Sequence, residues 1–315
     1  MSTRRQISLF LLAIFAFLSL NSTSLAQAEY PRVLKTYLKI NENAKSIKDS
    51  KIKKTIELLV IDSRQDTLKI TDYDQDGYIT SEFSKAVISK EKKGEYVIRN
   101  CTYVYNNFKL LTEKVDSTGE QLKKYYLKYD EFYNITDEEL FVQNKLAQKY
   151  SYEYDDLSRL IETTLKDQEN DCKIIETYDY NSYNNMVKLS VLNKCIGDKK
   201  PVETKYNYKY DKDYRILEKL IISASGENKT ETFTYTADGK PETSYEMMGG
   251  DSYINRKYTY DNNNVRIQKT EVKGELSTSS DVLIKYDKLG NRLEEEYFDP
   301  NGKLLYTYKF IYTYY

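Results

Sequence analysis

The chain has 315 residues and contains no histidine and no tryptophan. Without histidine it has no imidazole base for the serine and cysteine hydrolase mechanisms, and no histidine-ligated zinc or iron site. Cysteine is also rare, and three scattered cysteines are too few for a metal cluster. No glycine-rich phosphate-binding loop and no dinucleotide-binding motif occurs in the sequence. We therefore predict that the protein is not an enzyme and that it needs no cofactor.

An excess of charge of either sign is also missing, because 48 basic residues nearly cancel 49 acidic residues. A nucleic-acid partner needs a net basic field, so we expect none. Glycine and proline are scarce, at 11 and 4 residues, whereas tyrosine accounts for 33. Because tyrosine buries a ring and keeps its hydroxyl hydrated, this composition favours strands with one half-buried face.

Residues 1–28 have the pattern of a secretory signal peptide. Arg4 and Arg5 precede an apolar run from Ile7 to Leu20, and small residues allow cleavage after Ala28. The alternative is an uncleaved anchor, but the apolar run is short for a bilayer, so we expect no membrane span in the mature chain. Export predicts a periplasmic, cell-surface or secreted location, where disulfides can form.

One pattern recurs along the rest of the chain. Its clearest copy runs from Lys285 to Leu293 and predicts a strand, a tight turn and a second strand. Successive copies are mostly 24 to 26 residues apart, which leaves room for two strands and two turns. The incoming strands end at Asp74, Asn106, Asp130, Asp155, Asn181, Asp211, Thr236, Asp261 and Asp287, with Thr313 as a candidate last copy. Among the predicted turn residues are Asp155, Asp211, Asp261, Asp287 and Gly290.

The alternation of side chains indicates the fold. In the stretch from Lys205 to Asp211, Tyr206, Tyr208 and Tyr210 share one face, which is typical of a half-buried antiparallel strand. The predicted class is all-β: an antiparallel meander of about eight or nine repeated β-hairpins over residues 67–315. Since open twisted sheets of more than about ten strands curl, we expect a curved or rolled single sheet. The pattern is compatible with an open roll and with a closed one.

Residues 29–66 are expected to form an N-terminal segment ahead of the repeats. Asn41 can cap a short helix, and Lys54 to Asp62 predicts a first strand.

The predicted register of one hairpin also indicates which cysteines could pair. If Asn181 faces Met186 across its turn, Cys172 lies opposite Cys195, where a disulfide could form, although two unrelated thiols remain the alternative. Cys101 would stay free.

Asp72, Asp74 and Asp76 mimic the start of an EF-hand calcium loop. The twelfth position of such a loop should be a bidentate glutamate, but Phe83 stands there. Strand-like residues also precede the loop where a helix would be needed. We interpret this segment as another copy of the repeat, with a calcium loop as the alternative.

The stretch from Tyr286 to Arg292, Tyr-Asp-Lys-Leu-Gly-Asn-Arg, resembles the YD-repeat (rearrangement-hotspot) family of bacterial surface and secreted proteins. Asp299-Pro300-Asn301-Gly302-Lys303 is similar to a second motif of that family. The resemblance covers about residues 67–315. It implies long antiparallel sheets that curl into shells or spirals, which in larger members enclose a toxic carboxy-terminal domain. Here the sequence ends on the repeat itself, so we expect no cargo domain.

Three classes of function remain after these exclusions. The first is a non-enzymatic exported scaffold whose rows of tyrosine bind a protein or glycan partner at the cell envelope. The second is an outer-membrane β-barrel, for which the alternating strands and aromatic carboxy terminus argue. The third is a glycan-active enzyme that uses paired carboxylates, with Asp155 and Asp156, or Glu294 to Glu296, as candidates. Because these acids sit in repeated positions, the first class is preferred.

Overall fold

A computed structural model describes residues 43–87, 96–226, 228–248, 251–261 and 263–315. A helix, α1, covers residues 43–49, and twenty β-strands follow it in the described chain. The strands are β1 (Ile52–Ile61), β2 (Arg64–Tyr73), β3 (Ile79–Val87), β4 (Tyr96–Tyr105), β5 (Leu111–Thr118), β6 (Gln121–Tyr129), β7 (Ile135–Val142), β8 (Lys145–Tyr154), β9 (Leu160–Asp167), β10 (Cys172–Tyr180), β11 (Met186–Asn193), β12 (Val202–Tyr210), β13 (Ile216–Ser223), β14 (Asn228–Tyr235), β15 (Pro241–Met247), β16 (Tyr253–Asp261), β17 (Asn264–Lys273), β18 (Leu276–Tyr286), β19 (Arg292–Phe298) and β20 (Leu304–Tyr314). The all-β antiparallel meander is therefore confirmed, with ten hairpins instead of eight or nine. The expected signal peptide, its cleavage site after Ala28 and the expected cap Asn41 lie outside the described residues.

The sheet closes on itself. Each strand pairs antiparallel with its neighbours in sequence, and β1 also pairs with β20, for example at Ile56 with Ile311 and Leu59 with Tyr308. The expected curved or rolled sheet is thus corrected to a closed β-barrel. The reason is that β1 comes from the segment ahead of the repeats and supplies the hydrogen-bonding edge that β20 would otherwise leave unpaired. β2 crosses the boundary drawn at residue 67, so one sheet contains both parts.

The residue that ends each incoming strand, most often an aspartate, builds the turn. The Asp155 backbone N–H donates to the Arg159 carbonyl at 3.0 Å, and the Asp155 carbonyl accepts from the Ser158 N–H at 2.9 Å. Its side-chain Oδ1 accepts the N–H groups of Leu157 at 3.0 Å and Arg159 at 2.9 Å. Ser158 takes a positive φ of 57°, which explains why Gly or Asn often stands at this position. One carboxylate therefore satisfies two backbone donors that the turn would leave open.

The same backbone bonds recur in other copies. They are centred on Asp74, Asn106, Asp130, Asn181, Asp211, Thr236 and Asp287. In the last of these, Gly290 holds the positive φ, at 84°. Two positions differ from the expected series: Asp261 closes a shorter turn and pairs directly with Asn264, and Thr313 lies within β20.

In most copies, the tyrosine directly before the strand-end residue ties the hairpin to the previous one; in the copy at Asp211, the tyrosine that does so is Tyr208, three residues earlier. The Tyr154 hydroxyl donates to the Ile135 carbonyl at 2.9 Å, which joins the end of β8 to the start of β7. The hydroxyl-to-carbonyl bonds join Tyr105 to Ile79, Tyr129 to Leu111, Tyr154 to Ile135, Tyr180 to Leu160, Tyr208 to Met186, Tyr235 to Ile216, Tyr260 to Pro241 and Tyr312 to Arg292. In the Tyr-Asp pair, the tyrosine hydroxyl bonds to the preceding hairpin, and the aspartate stabilises the turn that follows.

The β10–β11 hairpin carries a disulfide. The register differs from the expected one at the turn, because Tyr180 rather than Asn181 faces Met186. A bulge between Asp179 and Tyr180 then shifts the pairing by one residue, and β10 and β11 continue in the register that the sequence argument assumed. Just beyond the last pair, Cys172 and Cys195 form a disulfide with their Cα atoms 5.0 Å apart.

Replacing the turn carboxylate should destabilise the barrel. We expect Asp155→Ala to lower the free energy of unfolding by about 1–2 kcal/mol, because two backbone N–H groups lose their acceptor. Asp156→Ala, one residue further on in the same turn and exposed, is the matched control and should change it by less than about 0.5 kcal/mol. Denaturant unfolding followed by circular dichroism measures both. Equal effects of the two substitutions would contradict the role assigned to Asp155.

Removing the disulfide should also cost stability. The bridge joins residues 23 apart in sequence, and Cys172→Ser with Cys195→Ser should lower the free energy of unfolding by about 2–4 kcal/mol. The readout is the denaturant midpoint of the double variant beside that of the unaltered oxidised chain. Coincident midpoints would show that the closed loop does not stabilise the fold.

Candidate interaction surface at the turn rim

Strand register and burial define an inner and an outer face of the barrel. In β12, Tyr206 is buried and Tyr208 and Tyr210 are half-buried, whereas Lys205 and Asn207 are exposed on the other face. The inner face carries a cluster of buried residues that runs along consecutive strands. Its members are Leu111, Leu127, Ile135, Tyr152, Leu160, Tyr178, Met186 and Tyr206. The tyrosine rows thus lie inside the barrel, as the alternation predicts.

The outer face carries charges in cross-strand ion pairs. Lys285 Nζ lies 3.0 Å from a carboxylate oxygen of Glu294, and Lys209 Nζ lies 2.8 Å from one of Glu218. Further outer pairs join Lys149 to Asp137, Lys188 to Asp179 and Arg266 to Asp281. Exposed pairs of this kind add little stability, so their significance is the polarity of the surface.

Within the described ranges, no helix is long and apolar enough to cross a membrane.

Charged side chains line the inner face beside the closure of the ring, and Glu295 is buried there while the others are half-buried. Glu57 of β1 pairs across the strands with Lys69, whose ammonium lies 2.7 Å from Glu82. Two strands away on β19, the Glu295 carboxylate forms an ion pair with Arg292. Three carboxylates therefore share two cations in this region.

Burial raises the pKa of Glu57 above its ordinary value. Lys69 and Arg292 oppose that rise, whereas Glu295 and Glu82 add to it. Burial also raises the pKa of Glu295, even though Arg292 and the Tyr297 hydroxyl favour its charged form. The excess of carboxylates over cations, together with burial, favours a retained proton in this region.

In a second ion pair on the inner face, the pKa of the carboxyl group is lowered instead of raised. Arg99 Nε donates to Asp116 at 2.9 Å, and Thr118 donates to the same carboxyl group at 2.9 Å. Burial alone would raise the pKa of Asp116, but these hydrogen bonds outweigh it and lower the pKa. Cys101 lies beside this pair on β4, buried and reduced, and burial raises the pKa of its thiol.

The raised pKa of Glu57 predicts a pH dependence of stability. The pKa of a glutamate in an unfolded chain is about 4.3. Because the pKa of Glu57 is higher in the folded chain, folding strengthens the binding of a proton to its carboxyl group. The stabilisation is complete below that pH and is lost as the pH rises through the folded-state pKa. We therefore expect the unaltered chain to lose stability relative to Glu57→Gln as the pH rises above about 4.3. Unfolding curves at several pH values test this.

Glu153→Gln, on the exposed outer face of β8, is the control for replacing any glutamate by glutamine. The assignment to Glu57 fails if the stability difference between the unaltered chain and Glu57→Gln does not change with pH, or if Glu153→Gln reproduces it.

The structure separates the candidate catalytic carboxylates. Glu294 and Glu296 pair with Lys285 on the outer face, whereas Glu295 is buried on the inner face. Asp155 is engaged by the backbone of its own turn, and hydrogen bonds from Arg159 and Leu157 overcome the upward effect of burial and lower its pKa. These carboxylates therefore do not face each other across a common cleft.

The candidate calcium ligands are held by lysines. Asp72 Oδ1 lies 3.0 Å from Lys54 Nζ, and Lys109 Nζ lies 3.0 Å from Asp74 and 2.8 Å from Asp76. Asp74 also accepts two backbone N–H groups of its own turn, as the repeat predicts. Across the ranges that the structure covers, no group of three or more His, Cys, Asp or Glu residues is arranged to hold a metal ion.

One end of the barrel exposes apolar side chains. The turns that follow the even-numbered strands lie at this end, which we call the turn rim. Five successive turns, from β4–β5 to β12–β13, present side chains that are 52–70% exposed. We call this set the tip ridge: Phe108, Phe132, Tyr133, Leu157, Tyr183 and Tyr214.

Neighbouring turns of the tip ridge contact each other. The ring centroids of Phe108 and Tyr133 are 5.9 Å apart, and those of Tyr183 and Tyr214 are 5.6 Å apart. The ridge therefore contains two aromatic contacts between adjacent turns, and exposed apolar side chains grouped in this way mark interaction sites. Sequence reasoning missed it. The available signal was the apolar residue that stands two or three positions after the strand-end residue in each of these copies.

The helix α1 lies on the same rim. It borders an open cleft of about 340 Å³ lined by Lys45, Ser46, Asp49, Ser50 and Leu289. Ser50 Oγ donates to Asn291 Oδ1 at 3.3 Å, which attaches the end of α1 to the β18–β19 turn.

No family model matches the chain, and no curated protein matches it. Among solved structures, it is similar to the Photorhabdus luminescens Tc holotoxin pore, at 12% identity and a TM-score of 0.34, over 79% of this chain and 18% of that one. It is also similar to a porin-like protein from Bacteroides uniformis, at 12% identity and a TM-score of 0.35, over 83% of this chain and 98% of that one. A porin-like protein from Bacteroides vulgatus matches at 12% identity and a TM-score of 0.23, over 84% and 98% of the two chains.

The chain spans less than a fifth of the length of the toxin-complex chains that it matches, at 17–18%. Superpositions with TM-scores this low do not establish a common fold.

Proposed function

We propose that this chain is an exported, non-enzymatic binding protein of the YD-repeat kind, which holds a protein or glycan partner at the cell envelope through the tip ridge. The observation that carries the proposal is the exposure of six apolar side chains along one rim. Isolated exposed apolar residues are ordinary, but a strip shared by five successive turns is not.

The tip ridge replaces the surface on which the sequence argument relied. From the sequence alone, the rows of tyrosine were the expected binding surface. Those rows lie inside a closed ring, and tyrosines such as Tyr129 and Tyr154 donate their hydroxyls to backbone carbonyls of the neighbouring strand. Because their rings and hydroxyls are used in construction, the inner tyrosines are poorly placed to meet a large partner.

Binding of the partner should depend on the end of the tip ridge formed by the β10–β11 and β12–β13 turns. We expect Tyr183→Ser with Tyr214→Ser to weaken capture of the partner by about tenfold or more, since aromatic side chains dominate such surfaces. A pull-down from envelope extract and a glycan array, both with the unaltered chain, identify the ligand first. Ile196→Ser with Leu276→Ser, 75% and 74% exposed at the opposite end of the barrel, is the matched control.

Unchanged affinity in the ridge variant would overturn the assignment to the tip ridge. Failure of the unaltered chain to retain any ligand in both assays would overturn the binding function itself.

An outer-membrane β-barrel is the second candidate, and the closed ring favours it. A membrane-spanning sheet must have no free edge, and the bacterial examples have an even number of strands, as the twenty described here do. Against it stand the outer ion pairs, because a lysine facing the middle of the lipid costs about 2–4 kcal/mol. The expected result is that the exported chain stays in the aqueous phase without detergent. Flotation with membrane vesicles would instead support the membrane barrel.

A further inference from the structure

Two neighbouring hydrogen-bond donors on the inner face lack an acceptor. Arg256 shares the inner face of β16 with Tyr258 and Tyr260, since the residues between them are exposed. Ser244 of β15 stands directly opposite Arg256 and is 3% exposed. Within the part of the chain that the structure describes, neither the Ser244 hydroxyl nor the Arg256 Nε–H makes a hydrogen bond, so they do not bond to each other.

Buried polar groups in folded proteins are normally satisfied, and a buried donor without an acceptor is costly. Ser244 and Arg256 place two such donors side by side. This arrangement indicates a site for a group that accepts hydrogen bonds.

The carboxylate nearest to Arg256 is already shared with a lysine. Arg256 Nη1 lies 3.5 Å from Glu246, whereas Lys229 Nζ lies 2.8 Å from Glu246 and 2.8 Å from Glu231. Lys219 is a third cation here, 3.7 Å from Glu231. The ion pair of Arg256 is therefore long, and it uses Nη1, which leaves the Nε–H for another acceptor. Because the Arg256 side chain is 15% exposed on the inner face, a small solute inside the barrel can reach the guanidinium.

The next strand adds to the surplus of positive charge. Glu271 of β17 is shared by Lys269, at 2.5 Å, and Lys273, at 2.8 Å. Five cations thus surround three carboxylates on the described inner face of β13–β17. The charged region beside the closure of the ring has the reverse balance, with more carboxylates than cations. An excess of one sign in a partly enclosed place attracts ions of the other sign.

A small oxyanion meets both requirements. A carboxylate or phosphate oxygen accepts hydrogen bonds from a hydroxyl and from a guanidinium N–H, and its charge is opposite to that of the surrounding lysines. Water could accept the same bonds, but it would not balance the charge. Ser244 lies between the longer side chains of Phe233 and Arg256, so a ligand would reach its hydroxyl along the guanidinium.

We propose that the inner face between β14 and β17 is a binding site for a small oxyanion, the carboxylate or phosphate group of a small solute. Arg256 Nε and Ser244 Oγ donate to its oxygens, and Lys229 and Lys269 balance its charge. The site lies inside the barrel and is separate from the tip ridge, so this proposal and the proposed function can fail independently.

Equilibrium dialysis of the exported full chain tests the site with radiolabelled inorganic phosphate and radiolabelled acetate at fixed ionic strength. We expect about one ion to be bound per chain, with a dissociation constant of about 1 mM or below. Ser244→Ala with Arg256→Lys should weaken binding by about tenfold or more, because a neutral and a charged donor are lost. The lysine keeps a positive charge beside Glu246. Which of the two ions binds more tightly identifies the group that the site prefers.

Thr163→Ala with Arg266→Lys is the matched control. Thr163 is another buried hydroxyl of the inner face, 6% exposed, and Arg266 is paired with Asp281 on the outer face. The control should bind the ion as the unaltered chain does. Equal losses in the two double variants overturn the assignment to Ser244 and Arg256, and so does unchanged affinity in both.

Chemical modification tests the site without any substitution. Phenylglyoxal reacts with arginine side chains, and mass spectrometry locates the product. Phosphate at ten times its dissociation constant should slow the reaction of Arg256 by about tenfold and leave that of Arg266 unchanged. An unchanged rate at Arg256 overturns the proposal, as does the absence of phosphate and acetate binding to the unaltered chain. Displacement of the bound ion by an equal concentration of chloride overturns it too, because the site would then recognise charge alone.

Discussion

The rest of the structure depends on the hydrogen-bonded ladder between β1 and β20. A meander of this length has two edges, each with a row of unpaired N–H and C=O groups. Pairing Ile56 with Ile311, and Leu59 with Tyr308, removes both edges together. Closure also creates the difference between an inside, where tyrosine rings can be buried, and an outside, where lysine and glutamate face water. Without it the tyrosine rows would have solvent on both faces of the sheet.

Within the ring, the Tyr-Asp pair divides two tasks between adjacent residues. The aspartate carboxylate accepts backbone N–H groups of its own turn, as Asp155 does from Leu157 and Arg159. The tyrosine hydroxyl binds a carbonyl of the previous hairpin, as Tyr154 does with Ile135. The aspartate makes contacts within one hairpin, and the tyrosine joins that hairpin to the previous one. A repeat built this way specifies both the fold of each hairpin and its attachment to the last one.

This construction leaves limited surface for function. Inner tyrosines are occupied, outer strands are charged, and the turn aspartates are saturated with hydrogen bonds. What varies freely is the side chain at the tip of each turn, because the turn uses only the backbone of that residue, as with the Phe132 N–H that donates to Asp130. In five successive copies that position, or the next one, is aromatic or aliphatic, as at Phe132 and Tyr214. The side chains of the tip ridge can therefore serve a function that the folding of the repeat does not require.

The sequence by itself determined the all-β class, the hairpin period, the turn aspartates and the face that tyrosine occupies. These follow from local chemistry: alternation with a period of two, and residues such as Gly290 that tolerate positive φ. Tertiary structure decided the closure, because the partner of β20 is a strand more than 240 residues earlier, with no local signal of the pairing. It also decided that Glu295 is buried beside Arg292 while its neighbours Glu294 and Glu296 face out. The ridge likewise exists only because successive turns meet at one rim, a proximity that spacing along the chain does not reveal.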